Sequence, residues 1–257
     1  MHQPIALIGI GEMGGVFAKA LLRAEYPLYP IVRATALGAA AATVPEPELV
    51  LVTVGEADLD PVLGELPSSW KTRTGLIQNE LLPRDWERHD IVDPTVAVVW
   101  FEKKPGQDVK QVIATPVAGP AAGLLAEALI EIGIEAYEIR RDELIDQLVM
   151  KNCYILTSNI AGLRTGGTTG ELWDEHRELA TVVVAEVLDI QEWLVGTELE
   201  RDRLVAEMAN AFLADPEHKT TGRSAPLRLD RALRHAAEAE IDVPTLAAIA
   251  REQAVVA

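Results

Sequence analysis

Gly9, Gly11 and Gly14, in the run IALIGIGEMGG from Ile5 to Gly15, have the spacing that lets a chain pass beneath a dinucleotide pyrophosphate. Each glycine serves a different need. Gly9 permits a tight turn, Gly11 lets the backbone approach the phosphates, and Gly14 lets the new helix pack on the strand. The amides of Glu12 and Met13 then open a helix N-terminus toward phosphate oxygens. A glycine-rich turn that binds nothing has the same spelling, and that alternative stays open. A second group, Lys151, Asn152 and Asn159, interrupts the apolar pattern of DELIDQLVMKNCYILTSNIAGL. At 100° per residue the two asparagines lie about 20° apart and Lys151 about 80° from Asn159, so the three can line one side of a wall. An ammonium beside the oxygen of a bound keto compound stabilises the alkoxide formed in hydride transfer and delivers its proton, while a carboxamide fixes orientation. A solvent-facing lysine on an ordinary helix is the other reading of Lys151.

The type of nucleotide is set by the end of the second strand, around Tyr29 to Arg33. That strand ends in Arg33 and Thr35 with no acidic residue nearby on its C-terminal side. A guanidinium fork matches a 2′-phosphate, which favours NADPH over NADH. A solvated arginine at a strand end is the alternative.

These residues need a scaffold, and the chain's pattern supplies one. From the start to about Tyr137, apolar strands (IALIGIG, ELVLVTVG, TGLIQNE, TVAVVWFE, QVIATPVA, IEAYEI) alternate with helix-like segments. That is the signature of a mostly parallel sheet covered by helices, an α/β Rossmann-like domain. Only fourteen residues, rich in alanine and with Pro45 and Pro47, separate Arg33 from Glu48, so the first half reads as abbreviated, short of the usual helix and strand. After Arg140 long helical patterns take over, separated by a loop from Gly162 to Gly170. The expectation is a dinucleotide-binding domain over 1–140 and an all-helical substrate and dimerisation domain over 141–257. GTELERDRL and its neighbouring apolar helices can form the face of a homodimer, though an amphipathic helix of a monomer reads the same.

At 257 residues and 49% hydrophobic content the chain can bury a substantial core. A formal net charge of −17 repels polyanions and no local basic patch is visible, so nucleic acid is not expected as a partner, and any anionic substrate needs its own cations. One cysteine, no basic leader and no run of membrane-spanning length lead to the expectation of a cytoplasmic protein with no membrane contact. The histidines are scattered without ligand spacing, so no metal is expected. Cys153 reads as a small buried hydrophobe.

The order of IALIGIGEMGG, LIQNE at 76–80, LVMKNCYILTSNIAGL at 148–163, GELW at 170–173 and LRLD at 227–230 resembles the ketopantoate reductase (2-dehydropantoate 2-reductase) family over almost the whole chain. The resemblance implies an N-terminal dinucleotide-binding domain, a helical C-terminal domain, and reduction of a keto acid with NADPH. It places the family's catalytic lysine on Lys151. Of the two asparagines that follow that lysine, the second matches Asn159; the first falls on Ile155, and Asn152 substitutes for it if the register shifts by three. The family's QNG loop, whose asparagine lies near nicotinamide and substrate, stands as Gln78, Asn79 and Glu80, and a lysine just after the next strand, at the equivalent of VTVGE at 52–56, is replaced by Gly55 or Glu56. Where the family grips pantoate with a glutamate, this chain has Arg228, with Asp230 retained, and Thr220 or Thr221 takes the place of a substrate-binding serine. Arg228 then either clamps the carboxylate of a keto acid other than ketopantoate or rides a solvated helix face. The function implied is an NADPH-dependent reductase of a small 2-keto acid; the alternative is a noncatalytic nucleotide- or metabolite-binding relative that acts through a protein partner.

Overall fold

The computed structural model describes residues 2–256. The chain divides into two compact units, 1–147 and 148–257.

In the first unit the order is β1 (Ile5–Ile8), α1 (Glu12–Arg23), β2 (Leu28–Ile31), α2 (Leu37–Thr43), β3 (Leu49–Val52), α3 (Glu56–Gly64), α4 (Ser68–Lys71), β4 (Thr74–Leu76), α5 (Pro83–Glu87), β5 (Thr95–Ala97), β6 (Phe101–Glu102), β7 (Lys110–Gln111), β8 (Thr115–Ala118), α6 (Ala122–Ile130) and β9 (Ala136–Glu138). A seven-stranded sheet runs β2-β1-β3-β4-β5-β8-β9, and β6 and β7 form a separate hairpin. Within the seven-stranded sheet the ladders are parallel except between β5 and β8, and the β6–β7 pair is antiparallel. β1 and β3 are buried along their whole length, as strands covered on both faces must be. Ile5 and Leu7 of β1 and Leu49 and Leu51 of β3 meet Phe17 and Leu21 of α1 and Leu125 and Leu129 of α6 in one apolar core. Because β2 and β3 flank β1 on opposite sides, the crossovers diverge at β1, the place where α/β sheets open a ligand crevice at the carboxyl ends of their strands.

The fourteen residues after Arg33 differ from the sequence expectation in one respect. They do form a helix, α2, because five consecutive small residues follow Leu37, and it stops at Thr43 because Pro45 drives Val44 out of helical conformation (φ −126°, ψ 76°). The chain then passes straight into β3, so the strand is omitted and the helix kept.

A 3-10 turn (Arg141–Glu143) leads into α7 (Leu144–Thr165), whose residues from Leu148 onward belong to the second unit with α8 (Thr169–Glu175), α9 (Arg177–Val195), α10 (Arg201–Ala214), α11 (Ala225–Ala239) and α12 (Pro244–Val256). Every residue of α7 from Leu148 to Gly162 is buried. The loop expected over Gly162 to Gly170 is far shorter: α7 runs through Thr165, and α8 starts at Thr169 under a capping box in which Thr168 and Glu171 satisfy each other's backbone amides. Glu186 of α9 accepts from the amides of Thr245 (2.8 Å) and Leu246 (2.9 Å), capping α12 from another helix.

Candidate functional site

The turn between β1 and α1 has the geometry that its glycines imply. Gly9 is left-handed (φ +93°), and a Cβ there would stand 2.9 Å from Val54 Cγ1. A Cβ on Gly14 would meet the Gly9 carbonyl oxygen at 2.2 Å and Thr53 Oγ1 at 2.8 Å, so only glycine lets α1 pack this closely. A Cβ on Gly11, by contrast, would meet no atom within 4 Å beyond its chain neighbours. The first bond of the helix runs from Gly15 N to Gly11 O (2.8 Å), which leaves the amides of Glu12 and Met13 in the first turn without helical acceptors. Sequence reasoning missed Thr53, whose hydroxyl donates toward both Ile8 O (3.1 Å) and Gly9 O (2.5 Å) and pins the turn from β3.

Two clefts adjoin at Gly11. One, of about 560 Å³, is lined by Gly9, Gly11, Arg33, Thr35, Thr53 and Asp58. The other, of about 420 Å³, is lined by Gly11, Glu12, Met13, Gly55, Glu56, Asn79 and Lys103 among others. All the expected nucleotide-binding residues that stand at the strand ends therefore fall on these two clefts, with Gly14 beneath the turn. Arg33 is largely exposed and pairs with Asp58 at 3.0 Å, a partner from α3 that the sequence around Arg33 gives no hint of. Gln78 holds the next loop: its amide nitrogen donates to Val52 O (2.9 Å) and Val54 O (3.2 Å), and its oxygen accepts from Ile77 N (3.0 Å). Asn79 is thereby presented to the cleft. Glu80 takes φ +57°, so the left-handed turn that a glycine would make freely is kept at a cost of about 1 kcal/mol. Gly55 and Glu56 line the same cleft, and the cation absent at their position in β3–α3 leaves Glu56 as the charged group there.

In the helical unit, the structure brings Asn159, Thr220 and Arg228 together. Asn159 Nδ2 donates to Thr220 O (2.9 Å), and Arg228 Nη1 donates to Asn159 Oδ1 (2.7 Å). Thr220 Oγ1 in turn bonds Gly166 O (2.9 Å) and Gly167 O (3.1 Å), while Thr221 is exposed. Arg228 is half-buried, not a solvated arginine, and Lys151 is 9% exposed, not a solvent-facing lysine. Asn152 requires a correction. It is fully buried and donates to Gln191 Oε1 of α9 (2.9 Å), so it ties two helices together and does not join a substrate wall with Asn159. The small angular offset between the two asparagines had no power to orient them, because α7 is enclosed on every side. Cys153 is buried, and desolvation pushes its thiol up to about 12.

Among the described residues no group of three or more histidine, cysteine or acidic side chains is placed to hold a metal ion, and no helix is long and apolar enough to cross a membrane.

The chain matches no protein-family model and no curated protein. Solved structures do match along its length. A PanE/ApbA family ketopantoate reductase from Ralstonia eutropha JMP134 is 14% identical with a TM-score of 0.70 over 98% of each chain. A 2-dehydropantoate 2-reductase from Methylococcus capsulatus is 15% identical with a TM-score of 0.70, over 98% of this chain and 96% of that one. D-mandelate dehydrogenase, solved in a ternary structure with NADH and anilino(oxo)acetate, is 15% identical with a TM-score of 0.67 over 96% of each. The parallel-rich N-terminal unit followed by a helical one is thus the fold of the ketopantoate reductases.

Proposed function

We propose that this chain is a divergent relative of the ketopantoate reductases that uses NADPH to reduce a small 2-keto acid. The observation that carries the reading is the β1–α1 crossing. Gly14 admits the Gly9 carbonyl at a distance no side chain tolerates, an added Cβ on Gly11 would meet nothing within 4 Å, and Glu12 and Met13, whose amides lack helical acceptors, line the cleft of about 420 Å³. That combination suits a pyrophosphate. In this reading Gly9, Gly11 and the amides of Glu12 and Met13 hold the phosphates, Arg33 meets the 2′-phosphate in exchange for Asp58, and Asn79 orients the nicotinamide end. The bound nicotinamide supplies a hydride to the keto carbon. Lys151 delivers a proton to the carbonyl oxygen, and Arg228, steadied by Asn159, grips the substrate carboxylate, with Thr220 and Thr221 beside it. A guanidinium where the resemblance implies a glutamate directs this site to a keto acid other than ketopantoate. That D-mandelate dehydrogenase, of the same fold, was solved with NADH and anilino(oxo)acetate supports a nucleotide and an oxo acid as the ligand pair.

The test is Lys151→Ala in steady-state assays across a panel of 2-keto acids. Turnover is expected to fall by about 10²- to 10⁴-fold while NADPH affinity stays within about twofold. Turnover at the wild-type rate would remove the proposed role. A second reading, a nucleotide-binding protein without turnover, is favoured by one feature: both ends of the Asn159 amide are already engaged, by Thr220 and Arg228. It predicts saturable NADPH binding and no NADPH oxidation with any 2-keto acid.

A further inference from the structure

The cleft that holds Asn79 has an electrostatic problem. Of the charged side chains that line it, Glu12, Glu56 and Glu102 are acidic and Lys103 is basic, in a chain whose formal net charge is −17. A pyrophosphate at the opening of α1 would face Glu12 directly, since Glu12 is the helix's first residue. Lys103 comes from elsewhere, from the connection between β6 and β7, and it also lines the neighbouring cleft along α1 with Gly15 and Lys19. Its side chain is 23% exposed and lies 3.4 Å from Glu12 Oε2. The same ammonium donates to Lys104 O (3.0 Å) and to Gln107 O, so the hairpin's turn, with Gly106 at φ +73°, fixes where it stands.

We infer that Lys103 is a pyrophosphate-binding residue of the nucleotide site, held in the free protein by Glu12 as a stand-in anion. The inference rests on the reading of these clefts as a dinucleotide site. On binding, the ammonium keeps its two hairpin carbonyls and exchanges the Glu12 carboxylate for a pyrophosphate oxygen. Glu12, with 45% of its side chain exposed, turns to water. The exchange replaces a partly solvated ion pair, which contributes little, by a charge-assisted bond to a more highly charged group beside a helix N-terminus. It also restores by a long-range route the cation that Gly55 and Glu56 do not provide. Glu12 thereby becomes a competitor built into the site, and its removal should strengthen binding.

The test is calorimetric titration of the wild type, Lys103→Met, Lys103→Arg and Glu12→Gln with NADPH and with 2′-AMP, which carries the 2′-phosphate but neither phosphate of the pyrophosphate. Lys103→Met should weaken NADPH by about ten- to a hundredfold and leave 2′-AMP within about twofold. Glu12→Gln should tighten NADPH by about two- to fivefold, and Lys103→Arg should retain most of the wild-type affinity. A hairpin anchor without a ligand role predicts the opposite pattern: an unchanged or weakened Glu12→Gln, with Lys103→Met affecting both ligands equally or neither. Either of those results overturns the inference while leaving nucleotide binding intact. A wild-type protein that does not bind NADPH overturns the dinucleotide reading and this inference with it.

Discussion

Gly14 and Gly15 are adjacent glycines in the first turns of α1, and the same added methyl group should act on them with opposite sign. At Gly14 a Cβ would be 2.2 Å from the Gly9 carbonyl oxygen and 2.8 Å from Thr53 Oγ1. The first contact is with backbone, about 1 Å inside ordinary van der Waals separation, and it cannot rotate away. Relief requires α1 to lift from β1, which loosens the packing of Val16, Phe17, Ala20 and Leu21 and breaks the paired acceptance of the Thr53 hydroxyl by Ile8 and Gly9. A loss of about 2–4 kcal/mol follows, typical of an overpacked backbone site combined with a broken buried hydrogen bond. At Gly15 no atom lies within 4 Å of the added Cβ, the residue is exposed, and the conformation is helical. There alanine should stabilise by about 0.5–1 kcal/mol through its better helix propensity. Urea denaturation of both variants, followed by far-UV circular dichroism, reads the two signs directly, and NADPH titration should show lost binding for Gly14→Ala alone. Equal effects from the two substitutions would refute the argument that close approach, not glycine content, explains the turn.

Three further outcomes follow from contacts outside that turn. Glu186→Ala removes both acceptors from the Thr245 and Leu246 amides in a buried setting and should cost about 2–4 kcal/mol, with hydrogen exchange accelerated first at the start of α12; unchanged protection there would contradict the cap. Asp58→Asn frees Arg33 from its 3.0 Å partner and should raise the NADPH-to-NADH affinity ratio by about two- to fivefold, a modest factor because the two side chains are 89% and 54% exposed; a lowered ratio would show that Arg33 needs Asp58 to hold it. Cys153, its thiol raised to about 12 by burial, should resist iodoacetamide at pH 8 in the folded protein and react on unfolding. Because an unfolded thiol titrates near 8.5, the stability linked to Cys153 is complete below about pH 8.5 and declines as pH rises toward 12; a stability profile flat across that window would contradict the burial.

What could be read from the sequence was whatever depended on local pattern. The buried run of β1 with its three spaced glycines, the alternation of strands and helices to Tyr137 and the helical remainder all follow from short-range periodicity, and the fold has that order. Local pattern misled where composition outweighed propensity. The prolines at 45 and 47 masked α2, and the glycines of TGGTTG masked α8, whose start is set by the Thr168–Glu171 capping box. The contacts of the candidate residues were harder to read because their partners are distant in the chain: Asp58 for Arg33, Thr53 for Gly9, Lys103 for Glu12 and Gln191 for Asn152 are each supplied by a different element. The pairing of Asn159 with Thr220 and Arg228 spans more than sixty residues and has no periodic trace at all.

The central claim is that the clefts around Gly11 take a dinucleotide, and parallel titration with NADPH and NADH, followed by nicotinamide fluorescence and confirmed by calorimetry, tests it most directly. The account predicts saturable binding of NADPH with weaker binding of NADH, the difference disappearing in Arg33→Ala. No saturation by either nucleotide at millimolar concentration would contradict it.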